Sequence, residues 1–167
     1  MLLSHSAAVK EQPLSSPRPA RITRRRLPHW DLPESTYFIT FRLRARPLAG
    51  PEVVLVKNHI VSGHGRYYDL LAAQVMPDHV HLLLRPCRNF SLSRILKGIK
   101  GTTARLVNLR RGTRGSLWQE EYFDEIVRTR KELRDKLNYM FRNPVKSGLT
   151  RDPWKYPGWY VNREIDW

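Results

Sequence analysis

Apolar and polar residues alternate or recur at helical spacing along most of the chain, and this pattern predicts its main elements. Residues 37–43 (Y-F-I-T-F-R-L) place Thr40 and Arg42 on one side and three apolar residues on the other, as in a half-buried β-strand. Apolar residues at steps of three and four predict helices over 51–61 and 91–109. The chain therefore mixes strands and helices from its first periodic segment onward.

A β-hairpin follows the first predicted helix. Residues 67–75 and 79–85 read as strands, and the turn formers in Met76–Asp78 join them, so the two strands should pair antiparallel. Side chains two apart share a face of a strand, which puts His79 and His81 side by side at about 6.5–7 Å along the strand. Two such imidazoles can converge on one divalent metal. They can equally be two half-exposed histidines on a sheet face.

A third helix is predicted from Thr129, where T-R-K-E is a capping-box pattern, to about Arg142, and Pro144 should stop it after Asn143. The buried stripe of this helix is predicted to consist of Leu133, Leu137, Met140 and Phe141. Tyr139 and Asn143 lie about 40° apart around the helix axis and away from that stripe. The pattern leaves two interpretations open: a surface tyrosine, or a tyrosine with an amide beside it on a functional polar face.

Charge adds the strongest global signal. Lys and Arg number 30 against 15 Asp and Glu, a formal net charge of +15 that favours polyanionic partners, with nucleic acid ahead of an anionic membrane surface. No stretch reaches the 18 apolar residues of a membrane helix, and no signal peptide is evident at the start. A single cysteine excludes an internal disulfide and favours a reducing compartment such as the cytoplasm. The 167 residues suffice for one domain with its own core.

Basic residues are concentrated in two places that could contact phosphates. The candidate nucleic-acid-binding residues are Arg24, Arg25 and Arg26 in the run before the first strand, and Lys97, Lys100, Arg105 and Arg110 on one side of the 91–109 helix. Phosphate contacts of this kind give salt-dependent affinity without sequence specificity. A solvated arm and an ordinary wet helix face are the alternative interpretations.

Four motifs, in order and at familiar separations, carry a resemblance to a known family. They are L-P-H-W (27–30), M-P-D-H-V-H-L-L-L (76–84), L-W-Q-E-E-Y-F-D (117–124) and N-Y-M-F-R-N-P-V-K-S-G-L (138–149). Together they closely resemble the REP-associated tyrosine transposases, relatives of the single-tyrosine HUH transposases of bacterial insertion sequences. The resemblance spans about residues 22–155 and predicts a transposase domain there. Outside it, the prolines and serines of the start predict a disordered extension over 1–21, and residues 156–167 are expected to form a tail.

The resemblance implies a fold and a chemistry. The fold would be α+β, a ferredoxin-like antiparallel sheet with helices packed on one face. His79 and His81 match the family's metal-binding pair, Asn143 its third ligand and Tyr139 its catalytic tyrosine. The family uses Mg²⁺ or Mn²⁺ on single-stranded DNA, where repeated palindromes fold as hairpins, and forms a covalent 5′-phosphotyrosine. The implied protein acts as a monomer or homodimer, without a membrane or an obligate protein partner.

Two other functions stay open at this point. The chain could be a domesticated relative that binds hairpin DNA without cutting it, although the intact set of candidate residues argues against this. It could also bind RNA hairpins, because a basic surface with aromatic residues does not by itself distinguish RNA from DNA.

Overall fold

The fold is described from a computed structural model that covers residues 21–24, 28–31 and 35–164. Its elements are β1 (Arg21–Arg24), β2 (Pro28–Asp31), β3 (Thr36–Arg42), α1 (Gly50–Ser62), β4 (Tyr68–Val75), β5 (His79–Pro86), α2 (Leu92–Arg111), β6 (Phe123–Val127), α3 (Arg130–Lys146), a 3₁₀ turn (Pro153–Lys155) and β7 (Trp159–Val161). The extension predicted to be disordered lies almost entirely outside the described residues. No helix in the described ranges is long and apolar enough to cross a membrane.

Five strands form one antiparallel sheet in the order β6-β3-β5-β4-β7. β3 and β5 are central, α1 connects β3 to β4, and α2 connects β5 to β6. This is the ferredoxin-like α+β architecture that the sequence resemblance implies, extended by α3 and an edge strand. The strands β1 and β2 form a separate antiparallel pair.

The two faces of the sheet are covered differently. On one face α1 and α2 enclose the main core, in which Ile39 and Leu82 of the central strands are fully buried. On the other face a smaller cluster brings Met140 of α3 against Phe38 and Leu83. The expectation that the helices pack on one face holds for α1 and α2 but is wrong for α3. The apolar stripe of α3 needs an apolar surface, and the alternate side chains of β3 and β5 supply one on this second face.

The third helix begins as predicted and ends later than predicted. Thr129 accepts a hydrogen bond from the backbone of Glu132 and caps the helix. Pro144 does not stop it, since α3 continues to Lys146. A proline this close to a helix end removes only one backbone donor of the last turns, and Pro144 is buried in place. Asn143 therefore sits inside regular helix, one turn beyond Tyr139.

The segment after the 3₁₀ turn, which the sequence analysis assigns to a tail, joins the sheet. β7 pairs with β4, and the backbone carbonyl of Gly158 accepts a hydrogen bond from Val75 at 2.9 Å. A side chain at Gly158 would collide with the Val75 carbonyl oxygen, so only glycine allows this approach. The buried hydroxyl of Tyr156 donates to the same carbonyl at 3.0 Å. Residues 156–161 are thus fixed to the edge of the sheet.

A buried ion pair ties α2 to the start of α1 and gives a stability prediction. Arg111 donates to both carboxylate oxygens of Glu52 at 2.8 and 2.7 Å, and this guanidinium holds the pKa of the Glu52 carboxyl below its usual range. Arg111→Ala leaves the carboxylate unpaired, so we expect a loss of about 3 kcal/mol in the free energy of unfolding, measured by denaturant titration. The exposed Arg110→Ala is the matched control and should change stability by less than about 0.5 kcal/mol. If both substitutions change the free energy of unfolding equally, the ion pair between Glu52 and Arg111 contributes nothing to stability.

Candidate active site

His79 and His81 lie side by side on the sheet face that α3 covers. Their ring centroids are 4.6 Å apart, so the prediction that the two imidazoles share a face of β5 is confirmed. His81 is 4% exposed, whereas His79 is partly exposed at the rim. Val80 and Leu82 point into the main core, as alternation requires.

A hydrogen-bond partner at Nδ1 orients each imidazole. The Asp78 carboxylate lies 2.7 Å from Nδ1 of His79, and because a carboxylate only accepts, this nitrogen carries a proton. Thr40 lies directly across the sheet from His81, and its hydroxyl is 2.8 Å from Nδ1 of that ring. When Nδ1–H of His81 donates to this hydroxyl, the Nε2 atom of each histidine carries a lone pair and can accept a hydrogen bond or bind a metal.

The environment of His81 favours an uncharged ring with an available nitrogen. Burial, reinforced by the charges of His79 and Arg42, lowers the pKa of His81 to about 3. The Phe38 ring stacks on the imidazole at 5.4 Å between centroids and an angle of 20°. Nε2 of His81 is buried and has no hydrogen-bond partner within the described structure. A neutral imidazole with an unpaired Nε2 is in the state that a metal ligand requires.

Asn143 of α3 reaches the histidines from the covering helix. Its Nδ2 lies 3.3 Å from Nε2 of His79. The two ends of an amide are assigned from hydrogen bonding, and rotating the group by 180° would present the oxygen at this position. The described residues hold no group of three or more His, Cys, Asp or Glu that could bind a metal. A metal here would therefore be held by two imidazoles and one amide oxygen, a set that leaves coordination positions open.

Tyr139 stands on the same side of α3 as Asn143 and lies against His81. Its ring is edge-on to His81 at 5.3 Å and to Phe38 at 6.3 Å between centroids. The residue is nevertheless 47% exposed. It therefore combines contact with His81 and access to solvent, which a tyrosine placed at random on the surface would not. The geometry favours the functional interpretation of the Tyr139–Asn143 spacing.

The structure also brings a cation to this face that sequence reasoning missed. Nζ of Lys136 lies 2.6 Å from the Glu125 carboxylate and 4.6 Å from the centroid of the Phe38 ring. Lys136 precedes Tyr139 by three residues, so the two are neighbours on the helix surface. That spacing could be read from the sequence. The contacts with Glu125 and Phe38 could not, because they depend on the register of β6 against β3.

The N-terminal arginines remain predictions. Arg24 belongs to β1, where only the backbone is described, and Arg25 and Arg26 lie outside the described residues.

The candidates on α2 are not brought to the histidines. This helix packs on the opposite face of the sheet. Lys97, Arg105 and Arg110 are exposed there, whereas Lys100 donates a 2.7 Å hydrogen bond to the backbone oxygen of Glu120. If these residues bind DNA, they do so away from Tyr139.

Comparisons with known proteins agree on one family. A family described as IS200-like transposases matches residues 58–140. A relative from Haemophilus influenzae, named as a candidate REP-associated tyrosine transposase, is 26% identical over 117 residues, which cover 60% of this chain and 66% of the relative. The REP-associated tyrosine transposase of Escherichia coli is 24% identical over 134 residues, 78% of each chain. The chain thus spans slightly under two thirds of the first relative and more of the second.

A solved structure shares the fold. It is a REP-associated tyrosine transposase bound to a REP hairpin, with a TM-score of 0.62 and 18% sequence identity, covering 87% of this chain and 94% of that one.

Proposed function

The chain belongs to the family of IS200-like transposases, and on this premise we propose that it is a metal-dependent single-stranded DNA endonuclease and strand transferase acting through Tyr139. One observation carries the proposal: α3 sets the exposed Tyr139 against His81, whose buried Nε2 is unpaired, and adds Asn143 beside His79. A nucleophile next to an open set of metal ligands is an arrangement suited to covalent, metal-assisted phosphoryl transfer.

Hairpin-forming repeats are the proposed substrate. The relatives are named for their association with REP sequences, and the solved structure of similar fold holds a REP hairpin. A net charge of +15 on 167 residues suits a polyanion of this kind. Candidate phosphate contacts are the N-terminal arginines Arg24, Arg25 and Arg26 and the exposed basic residues of α2.

His79, His81 and Asn143 would hold the divalent ion, Mg²⁺ or Mn²⁺. Such an ion, when bound, polarises the scissile phosphate and offsets the charge that develops on its oxygens. The protein contributes preformed ligands: Asp78 and Thr40 fix the two rings, and Phe38 holds His81 from its face. The orphaned Nε2 of His81 fits this role, because a buried polar atom without a partner is otherwise unfavourable.

Tyr139 supplies the nucleophile. Its hydroxyl oxygen forms the new bond to phosphorus while the bond from phosphorus to the 3′ oxygen breaks. The products are a 5′-phosphotyrosine and a free 3′-OH, and the phosphotyrosine keeps the ester for transfer to another strand. Lys136, one turn earlier on α3, lies on the same face, where its ammonium is ion-paired with the Glu125 carboxylate.

Thr40 provides a test of the metal site that does not depend on cutting. Thr40→Val is similar in size but loses the oxygen that orients Nδ1 of His81, so we expect Mn²⁺ affinity to fall about 10- to 100-fold. The affinity is measured by isothermal titration calorimetry on the whole chain. Thr40→Ser keeps the hydroxyl and should bind within about threefold of the original protein. If the valine variant binds Mn²⁺ as tightly as the serine variant, Thr40 does not orient a metal ligand.

The proposed reaction is tested with labelled DNA on a denaturing gel. The protein is incubated with a hairpin oligonucleotide from repeats of the source genome, labelled at its 5′ end or its 3′ end, with Mn²⁺ or with EDTA. We expect a protein-linked band that carries only the 3′ label, because the tyrosine is joined to the 5′ phosphate of the fragment downstream of the cut, which keeps the 3′ end. The band should be absent with EDTA. A shift on a native gel, with neither adduct nor cleavage on any repeat, would instead identify a hairpin-binding protein without catalytic activity.

A further inference from the structure

An aromatic groove lies along the other side of α3, between this helix and the segment that ends in β7. It has a volume of about 530 Å³, within the range of small-ligand sites. Phe141, Trp154 and Trp159 line it with apolar surface, and Arg134, Asn138 and Arg163 add polar groups. None of these residues belongs to the histidine–tyrosine site.

The aromatic rings of the groove contact one another, and one of them, Trp154, is exposed. Trp154 is 61% exposed although it is a large apolar side chain. Its ring is edge-on to Phe141 at 4.7 Å between centroids, and Phe141 in turn is 5.5 Å from Trp159. The backbone N–H of Trp154 donates to the Asp152 side chain at 3.0 Å. Two residues later, the Tyr156 hydroxyl donates to the Val75 carbonyl of β4 and fixes this segment to the sheet. An exposed, preorganised indole of this kind is suited to stacking on a planar ring.

The polar groups of the groove suit a nucleotide. Arg134 and Arg163 are exposed and make no ion pair or hydrogen bond to other described residues, so both are available to phosphate oxygens. Nε1 of Trp159 is buried without an acceptor among the described residues. The groups that a nucleotide in the groove would contact are therefore the two exposed arginines and the exposed indole of Trp154.

The groove is next to the proposed nucleophile in the chain. Asn138 lines the groove and directly precedes Tyr139. Since successive residues of a helix are about 100° apart around its axis, the two side chains lie on adjacent sides of α3. A strand that crosses this helix could place one phosphate at Tyr139 and a neighbouring nucleotide in the groove. We propose that the groove binds an unpaired nucleobase of the single-stranded DNA, stacked on Trp154. This inference rests on the proposed function.

The proposal is tested by separating base contacts from phosphate contacts. Binding of the whole chain to the unstructured strand (dT)12 is compared with binding to a wholly abasic strand of the same length and charge, at fixed salt and by fluorescence anisotropy. Trp154→Ala should weaken (dT)12 binding about tenfold, since stacking on an aromatic side chain contributes that much per base. It should leave the abasic strand unaffected. Trp154→Phe should retain most of the affinity, and Tyr67→Ala, an exposed aromatic residue distant in sequence, is the matched control and should not change it.

Other outcomes overturn the proposal. An equal loss on both strands would assign Trp154 to folding or phosphate attraction, and no loss on either would remove it from the DNA path. If the groove binds a second copy of the chain, Trp154→Ala will reduce the mass seen by light scattering and leave (dT)12 affinity intact.

The adduct assay distinguishes failure of this proposal from failure of the proposed function. An adduct without Trp154 dependence contradicts only the groove, and Trp154 dependence without an adduct contradicts only the catalytic proposal.

Discussion

Tyr139→Phe should abolish the covalent adduct and reduce strand cleavage by at least about a thousandfold, because the side chain that forms the intermediate is lost. The change removes one oxygen and keeps the ring, so the edge contacts with His81 and Phe38 remain. Folding and hairpin affinity should stay within about twofold of the original protein. Cleavage is measured in single-turnover reactions with Mn²⁺, and affinity on native gels.

Tyr122→Phe is the matched control for this prediction. Tyr122 also lies in a motif of the family, but it is 7% exposed and packs in the main core on the opposite face of the sheet. This variant should form the adduct at close to the original rate. If Tyr139→Phe continues to cut while Tyr122→Phe does not, the assignment of the nucleophile is wrong.

His79→Ala should have the second largest effect, a loss of about a thousandfold in metal-dependent cutting, because the charge stabilisation supplied by a bound divalent ion is worth several kcal/mol. His79 lies at the rim of the site, so its removal disturbs packing less than removal of the buried His81 would. Hairpin binding should persist, since the proposed phosphate contacts lie elsewhere. Single-turnover cleavage over a range of Mn²⁺ concentrations, together with the native-gel affinity, measures both properties.

The control is His59→Ala, a partly buried histidine on α1, away from β5. It should cut like the original protein. A result in which His79→Ala loses hairpin binding and thermal stability along with cutting would indicate that the histidine is structural.

The sequence predicts the parts of the site that depend on periodicity within one element. The alternation along β5 places His79 and His81 on one face, and the structure confirms it. The spacing on α3 places Tyr139 and Asn143 together on a polar face, and the structure brings that face to the histidines. Both follow from local geometry, in which a period of 2.0 or 3.6 residues fixes which side chains share a side.

The missed features depend on contacts between distant segments. Thr40 is visible in the sequence as a polar strand residue, but only the register of β3 against β5 sets it across from His81. Asp78 reads as a turn former, and its hydrogen bond to His79 depends on the side-chain conformation. The continuation of α3 past Pro144 shows the same limit, because tertiary packing outweighs the local penalty of proline. Which face of the sheet a helix covers is likewise decided by the whole fold.

The most direct test of the central claim is to identify the residue that carries the DNA. The adduct formed with Mn²⁺ is trimmed with nuclease, digested with trypsin and analysed by tandem mass spectrometry. Cleavage after Lys136 and Arg142 gives the peptide L-N-Y-M-F-R, in which Tyr139 is the single tyrosine. The account predicts a phosphonucleotide on this peptide alone. A phosphonucleotide on the peptide spanning residues 115–128, which contains Tyr122, or on any other peptide would contradict it.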